Sequence, residues 1–174
     1  MSYLVLAYPY LAADDFDIIQ QYRKVNDALF YHVVNPHFTI VFPVMDVEEN
    51  VLLAEVKEKA SGVPKIDFVL RCATINKDAF SDQFHTFLVP DEGFSHFVKL
   101  HDRLYSGLLR DNHRLDIDYI PHMAVGGSKD KYACKAMVDE WNAKPFAICG
   151  RITHLDVVKY ENTIVTSMER IELV

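Results

Sequence analysis

The sequence predicts an α+β fold: two pseudo-symmetric lobes of antiparallel sheet with outer helices around a central groove. Three observations predict it. Short apolar runs of strand length alternate with segments of helical periodicity along the whole chain. The order strand, helix, strand, helix, strand occurs twice, at an offset of roughly eighty-five residues, too long for a solenoid repeat and suited to a two-lobed duplication. A Pro-His pair opens the third element of each half, as Pro36-His37 and as Pro121-His122. No Gly/Ser linker divides the halves, so one domain is expected over residues 1–174, with internal repeats at about 1–83 and 84–174.

In the first half, Tyr3 to Pro9 reads as a buried strand. Asp14 and Asp15 supply a cap and first-turn acids to a helix that carries Phe16, Ile19, Tyr22, Val25 and Leu29 at helical spacing. His37 to Val44, rich in β-branched and aromatic residues, reads as a strand. Asp46 is expected to cap a second helix with Val47, Val51, Leu52, Val56 and Ala60 on one face, ended by Gly62 and Pro64. Ile66 to Ile75 is the third strand.

The second half repeats the order. Thr86 to Pro90 reads as a strand, and Phe94, Phe97, Leu100, Leu104 and Leu108 mark a helix. Ile120 to Val125 is a strand. Ser128 is expected to cap a helix with Ala133, Ala136, Met137 and Trp141 inward, ended at Lys144-Pro145. Phe146 to Val158 reads as one long strand or a bent pair, and Ile164 to Leu173 as a closing strand.

Composition narrows the functions. The chain is 50% apolar and 25% charged, ordinary for a folded soluble domain. A net charge of -7 argues against long duplex DNA, which favours basic surfaces, and leaves room for a short or nucleotide-sized ligand. The three cysteines, Cys72, Cys134 and Cys149, are odd in number and form no CxxC pair, so neither a disulfide framework nor a zinc site is expected. No run reaches the roughly 18 apolar residues of a membrane span, and no signal peptide is recognisable. A monomer in the cytoplasm is the expected setting, without a membrane partner.

The two Pro-His pairs carry the chemistry. The first half reads Asn35-Pro36-His37-Phe38-Thr39-Ile40-Val41, the second Ile120-Pro121-His122-Met123-Ala124-Val125-Gly126. Side chains two apart on a strand share a face, so His37 projects with Thr39 and His122 with Ala124. Phe38 and Phe42 are expected on the opposite, core face. Acid–base cleavage of a phosphodiester needs one group to take the nucleophile's proton and another to give one to the leaving oxygen. Imidazole suits both roles near neutral pH. A hydroxyl two residues on can donate to a phosphate oxygen as charge develops there.

These two motifs resemble the signature of the two-histidine phosphoesterase superfamily, which includes 2′-5′ RNA ligase-like proteins and 2′,3′-cyclic phosphodiesterases. The resemblance extends over essentially the whole chain, through motif spacing and element order. It implies a metal-independent phosphodiesterase without cofactor, with His37 and His122 as acid and base and the paired hydroxyls on the phosphate. The implied partner is a 2′,3′-cyclic phosphate, an RNA end or a small nucleotide. In the hydrolytic direction His122 is assigned as base toward water and His37 as acid toward the leaving oxygen, and the roles swap in the reverse transesterification.

The first motif, His37-Phe38-Thr39-Ile40, matches the family pattern fully. The second has Ala124 at the hydroxyl position, where losing one transition-state donor costs on the order of 10²–10³ in rate. Ser128, Tyr160, Thr163 and Thr166 are alternative sources of a hydroxyl, and Ser128 also follows Gly126-Gly127, a turn that could offer N–H groups to phosphate. The competing reading is a weak or inactive phosphate- or nucleotide-binding module; a third is an interaction domain with a vestigial groove. Among the other histidines, His85 reads as structural or surface. His96 and His101 point roughly 140° apart on their helix and cannot share a metal. His32, His113 and His154 read as isolated surface residues.

Overall fold

The computed structural model describes residues 1–174 and has nine strands and four α-helices. They are β1 (Ser2–Ala7), β2 (Tyr10–Leu11), α1 (Ala13–Asn26), β3 (Phe38–Val44), α2 (Glu49–Ala60), β4 (Ile66–Lys77), β5 (Phe84–Glu92), α3 (Phe94–Leu104), β6 (Met123–Ser128), α4 (Lys131–Asn142), β7 (Ile148–Ile152), β8 (His154–Glu161) and β9 (Ile164–Glu172). A 3₁₀ turn, Leu108–Asn112, follows α3. It takes up Leu108, which the helical spacing assigns to α3, while residues 105–107 form a turn between the two.

The strands form two wholly antiparallel sheets, β3-β1-β8-β9 and β2-β7-β4-β5-β6. The α+β architecture with two antiparallel lobes is therefore the one the sequence predicts. Each sheet, however, mixes the halves. β4, from the first half, pairs with β5 and β7 of the second, while β8 and β9 complete the sheet begun by β1 and β3. The boundary at residues 83/84 thus does not separate the sheets. The segment 146–158 is a bent pair, β7 and β8, parted by Thr153 and placed in different sheets.

One continuous apolar core joins the layers. Phe38 of β3 stacks on Phe97 of α3 with ring centroids 4.3 Å apart, and Phe68 of β4 meets Phe38 edge-on at 5.0 Å. All three rings are buried, and aromatic pairs in such geometry add to their area burial. Leu52 and Val56 of α2 and Leu100 and Leu104 of α3 complete this core.

Local rules explain most boundaries. Gly62 ends α2 with φ of 72°, a conformation glycine adopts without the Cβ penalty. Three caps differ from expectation. At α1 the cap position is taken by Ala12, and Asp14 and Asp15 both lie inside the first turn. α2 starts at Glu49, with Glu48 rather than Asp46 at its cap position. α4 is capped by Asp130, whose Oδ1 accepts from Tyr132 N at 2.8 Å, while Ser128 Oγ accepts from Asp130 N one step earlier. Asp outcompetes Ser here because only Asp130 immediately precedes the first helical turn.

Candidate functional site

His37 and His122 each stand one residue before a strand, at the start of β3 and β6. Each ring is held alike. His37 Nδ1–H donates to Asn35 O at 2.8 Å, and His122 Nδ1–H donates to Ile120 O at 2.6 Å. A carbonyl can only accept, so the neutral rings carry their proton on Nδ1 and leave Nε2 with its lone pair. This carbonyl two residues back is the local device that both Pro-His turns build.

The strands then alternate. Phe38, Ile40, Met123 and Val125 are buried, whereas Thr39 and Ala124 are half-buried on the same side as their histidines. His37, Thr39, His122 and Ala124 all line one cavity of about 640 Å³ between the sheets. Ser128 does not line it, and neither do Thr163 and Thr166; Tyr160 does. Gly126 and Gly127 form no turn: they lie inside β6, paired with Thr86 and His85. A Cβ on Gly126 would come within 2.9 Å of Met137 Sδ and one on Gly127 within 3.1 Å of His85 Nδ1, so close packing accounts for both glycines.

A shared irregularity shapes the cavity. Along β1–β3 the register steps from Leu6↔Thr39 to Val5↔Val41, leaving Ile40 as an extra residue. Along β5–β6 it steps from Phe87↔Ala124 to Thr86↔Gly126, leaving Val125 extra. Both motif strands therefore bulge immediately after the second motif position, and a bulge reverses the phase of the residues beyond it. This turns Phe42 from the core face, where alternation from His37 puts it, into the cavity lining.

The same register makes His85 of β5 the counterpart of Leu4 of β1, and Phe87 the counterpart of Leu6; all four line the cavity. His85 was missed as a site residue by reading it alone. The signal available was its period of two with Phe87 in a strand equivalent to β1. Its Nε2 lies 3.1 Å from Asp78 Oδ2, and its ring is parallel to Phe87. Phe87 in turn stacks on His122 with centroids 3.5 Å apart. Because Phe87 is directly opposite Ala124, the missing hydroxyl coincides with an aromatic ring laid on the histidine.

Behind His37 stands a buried ion pair, also missed. Arg23 Nε donates to Asp27 Oδ2 at 3.0 Å, and Arg23 Nη2 donates to the carbonyls of Phe30 and Val34 at 3.2 and 2.8 Å. Asp27 Oδ1 accepts from Phe30 N. The pair thus ties the loop that delivers Pro36-His37. Burial lowers the His37 pKa to about 4, helped by the Arg23 charge and opposed by the Asn35 carbonyl and by Asp27. Burial also lowers that of His122 to about 4, opposed by the Ile120 carbonyl and reinforced by His37 and His85. Both rings are neutral at pH 7 in the free protein.

Other histidines depart from expectation. His154 is buried rather than at the surface, His101 is buried as well, and His113 packs against His101 instead of standing alone. No helix is long and apolar enough to cross a membrane.

No curated protein matches the chain by sequence. Solved structures resemble it closely in shape. TT0787 of Thermus thermophilus superposes with a TM-score of 0.64 at 14% identity, covering 99% of this chain and 98% of that one. E. coli LigT in apo form gives 0.58 at 15% identity, covering 99% and 96%; it has also been crystallised with 3′-AMP and with phosphate. Usb1 of Kluyveromyces marxianus gives 0.56 at 10% identity, covering 95% and 96%. At these identities the likeness is one of fold. The family model of the 2′-5′ RNA ligase superfamily matches residues 9–164, nearly the whole chain, and the protein belongs to that superfamily.

Proposed function

We propose that the protein is a metal-independent phosphodiesterase that opens 2′,3′-cyclic phosphates on RNA ends or small nucleotides. The observation that carries this is the paired histidines, each with Nδ1–H tied to a carbonyl and both lining one cavity with Thr39. One Nε2 takes a proton from water as its oxygen attacks phosphorus. The other ring, protonated, gives its Nε2 proton to the ribose oxygen as the P–O bond breaks. Thr39 Oγ donates to a non-bridging oxygen. The substrate supplies the missing charge: a phosphodiester anion favours protonation of the ring beside it, offsetting the burial that keeps both rings neutral.

The charge of the cavity suits a monoanion. Its lining cations are Arg23, already paired with Asp27, and Lys77, against the acids Asp27, Asp78, Asp116 and Asp118. A polyphosphate finds little compensation there. Phe30, Phe42 and Phe80 provide apolar faces for a base. LigT, of the same fold, has been crystallised with 3′-AMP and also with ATP and NADP+, so a ligand of this size is supported by the lining alone.

Ala124 favours one competing reading, a nucleotide-binding protein without turnover. Assay of the four 2′,3′-cyclic nucleotides decides between them. Turnover by the wild type, lost by at least about 10²-fold in both His37→Ala and His122→Ala, is the expected result. Ala124→Ser should raise kcat by tenfold or more if the absent hydroxyl limits the rate, on the order-of-magnitude scale of a single donor. Activity retained in either histidine variant overturns the mechanism; binding without turnover establishes the competing reading.

A further inference from the structure

Outside the cavity, α3 and the 3₁₀ turn bring together three side chains that the phosphodiester chemistry does not use. His101 Nε2 lies 3.3 Å from His113 Nε2, and a carboxylate oxygen of Asp102 joins them in a group whose donor atoms all lie within 4.8 Å of one another. His101 Nδ1–H donates to Ile40 O at 2.8 Å, so the lone pair of its neutral ring is on Nε2 and points at His113. Two facing ring nitrogens need something between them, a single proton or a metal ion.

The geometry points to a metal: we propose that His101, His113 and Asp102 form a binding site for one zinc-class divalent ion. With Zn–N bonds of about 2.0–2.1 Å, the edge of a tetrahedron is about 3.3–3.4 Å, the separation found between the two nitrogens. Imidazole and carboxylate together are a borderline donor set that suits zinc rather than calcium or magnesium. The His101 ring has the second-sphere carbonyl that metal-ligating histidines use to fix tautomer and orientation. Both rings are also pre-aligned. Tyr119 stacks on His101 at 3.6 Å, and Tyr105 stacks on His113 at 4.7 Å. Asp102 is exposed, and His113 borders a surface depression that it shares with Ser106, Arg110 and Asp111.

The site is braced against the bulge of β3. His101 holds Ile40 O, Tyr119 OH donates to Thr39 O at 3.2 Å, and Tyr105 OH accepts from Phe42 N at 3.0 Å. An ion at this place would stiffen the backbone that presents Thr39 without touching the reacting atoms. The site is structural and is independent of the proposed phosphodiesterase reaction.

Titration of the full chain with zinc, followed by calorimetry and by the visible spectrum of the cobalt-substituted protein, tests this. About one equivalent should bind, with a four-coordinate cobalt spectrum and a raised Tm. His113→Ala should weaken binding by at least about tenfold and abolish the Tm rise, whereas a His37→Ala/His122→Ala double variant should bind as the wild type does. Asp102→Ala, at an exposed position, makes the same test without risk to the fold. Absence of stoichiometric binding to the wild type overturns the proposal. So does binding that survives both His113→Ala and Asp102→Ala, or that disappears with His37 and His122.

Discussion

His37 and His122 have pKa values near 4 because half-enclosed imidazoles lose more hydration on protonation than one carbonyl returns. The unfolded chain, with ordinary histidines, binds protons between pH 6.5 and about 4 that the folded chain refuses. Stability contributed by these two sites is therefore complete above pH 6.5 and is lost as the pH falls toward 4. Urea midpoints measured from pH 7 to pH 4.5 should fall, and His37→Ala/His122→Ala should flatten that fall. At this scale the sequence was readily legible: Pro-His twice, with Thr39 or Ala124 two residues on, names four residues of the cavity. His85, Arg23 and Asp27 were not: the period of two that joins His85 to Phe87 gains meaning only once β5 is matched to β1, and nothing local marks an ion pair wrapped by its own loop.

Among the elements, α1 and the loop after it have the most specific task. Arg23 is 2% exposed and Asp27 5% exposed, and between them they satisfy the Phe30 and Val34 carbonyls and the Phe30 N–H. Arg23→Ala leaves a buried carboxylate without its partner and the Val34 carbonyl without its Arg23 donor, while Phe30 O keeps the N–H groups of Val33 and Val34. It should destabilise the protein by about 3–5 kcal/mol in denaturant titration. It should also lower the proposed phosphodiester turnover, because the freed loop leads directly into His37. Helix and strand positions followed from periodicity, but the predicted faces did so only in part: Val25 is exposed, Leu29 lies beyond the end of α1, and in α4 Cys134 and Val138 are buried while Ala136 is exposed. The phase of Phe42 did not, because the bulge at Ile40 arises from pairing with β1, a strand over thirty residues away in sequence. Caps were missed for a related reason: Asp46 and Ser128 are good capping residues that lie two positions too early for helices whose start is set by packing.

For the molecule as a whole, the duplicated order of elements shows in the matched neighbourhoods of β1 and β5, each flanked by its motif strand and by a strand from the other half. That exchange is invisible to a repeat read along the chain, which assigns β4 to the first lobe and β8 to the second. Neither 1–83 nor 84–174 contains a complete sheet. Expressed separately, each fragment should lack a cooperative unfolding transition, and mixing the two should restore one. Cooperative melting of either fragment alone would show that the lobes follow the halves after all.

Thr153 is the single residue between β7 in one sheet and β8 in the other, and Tyr8-Pro9 similarly spans from β1 to β2. Consecutive Cα atoms are about 3.8 Å apart, so neither link has slack to lengthen. The lobes are in effect sewn along one seam. Tweezers need a pivot and free tips, and here the stitching is at the level of the strands themselves, close to Tyr8, whose ring meets His37 edge-on. On the proposed reading, the two imidazoles are accordingly carried by sheets whose spacing along this seam is limited by the chain itself.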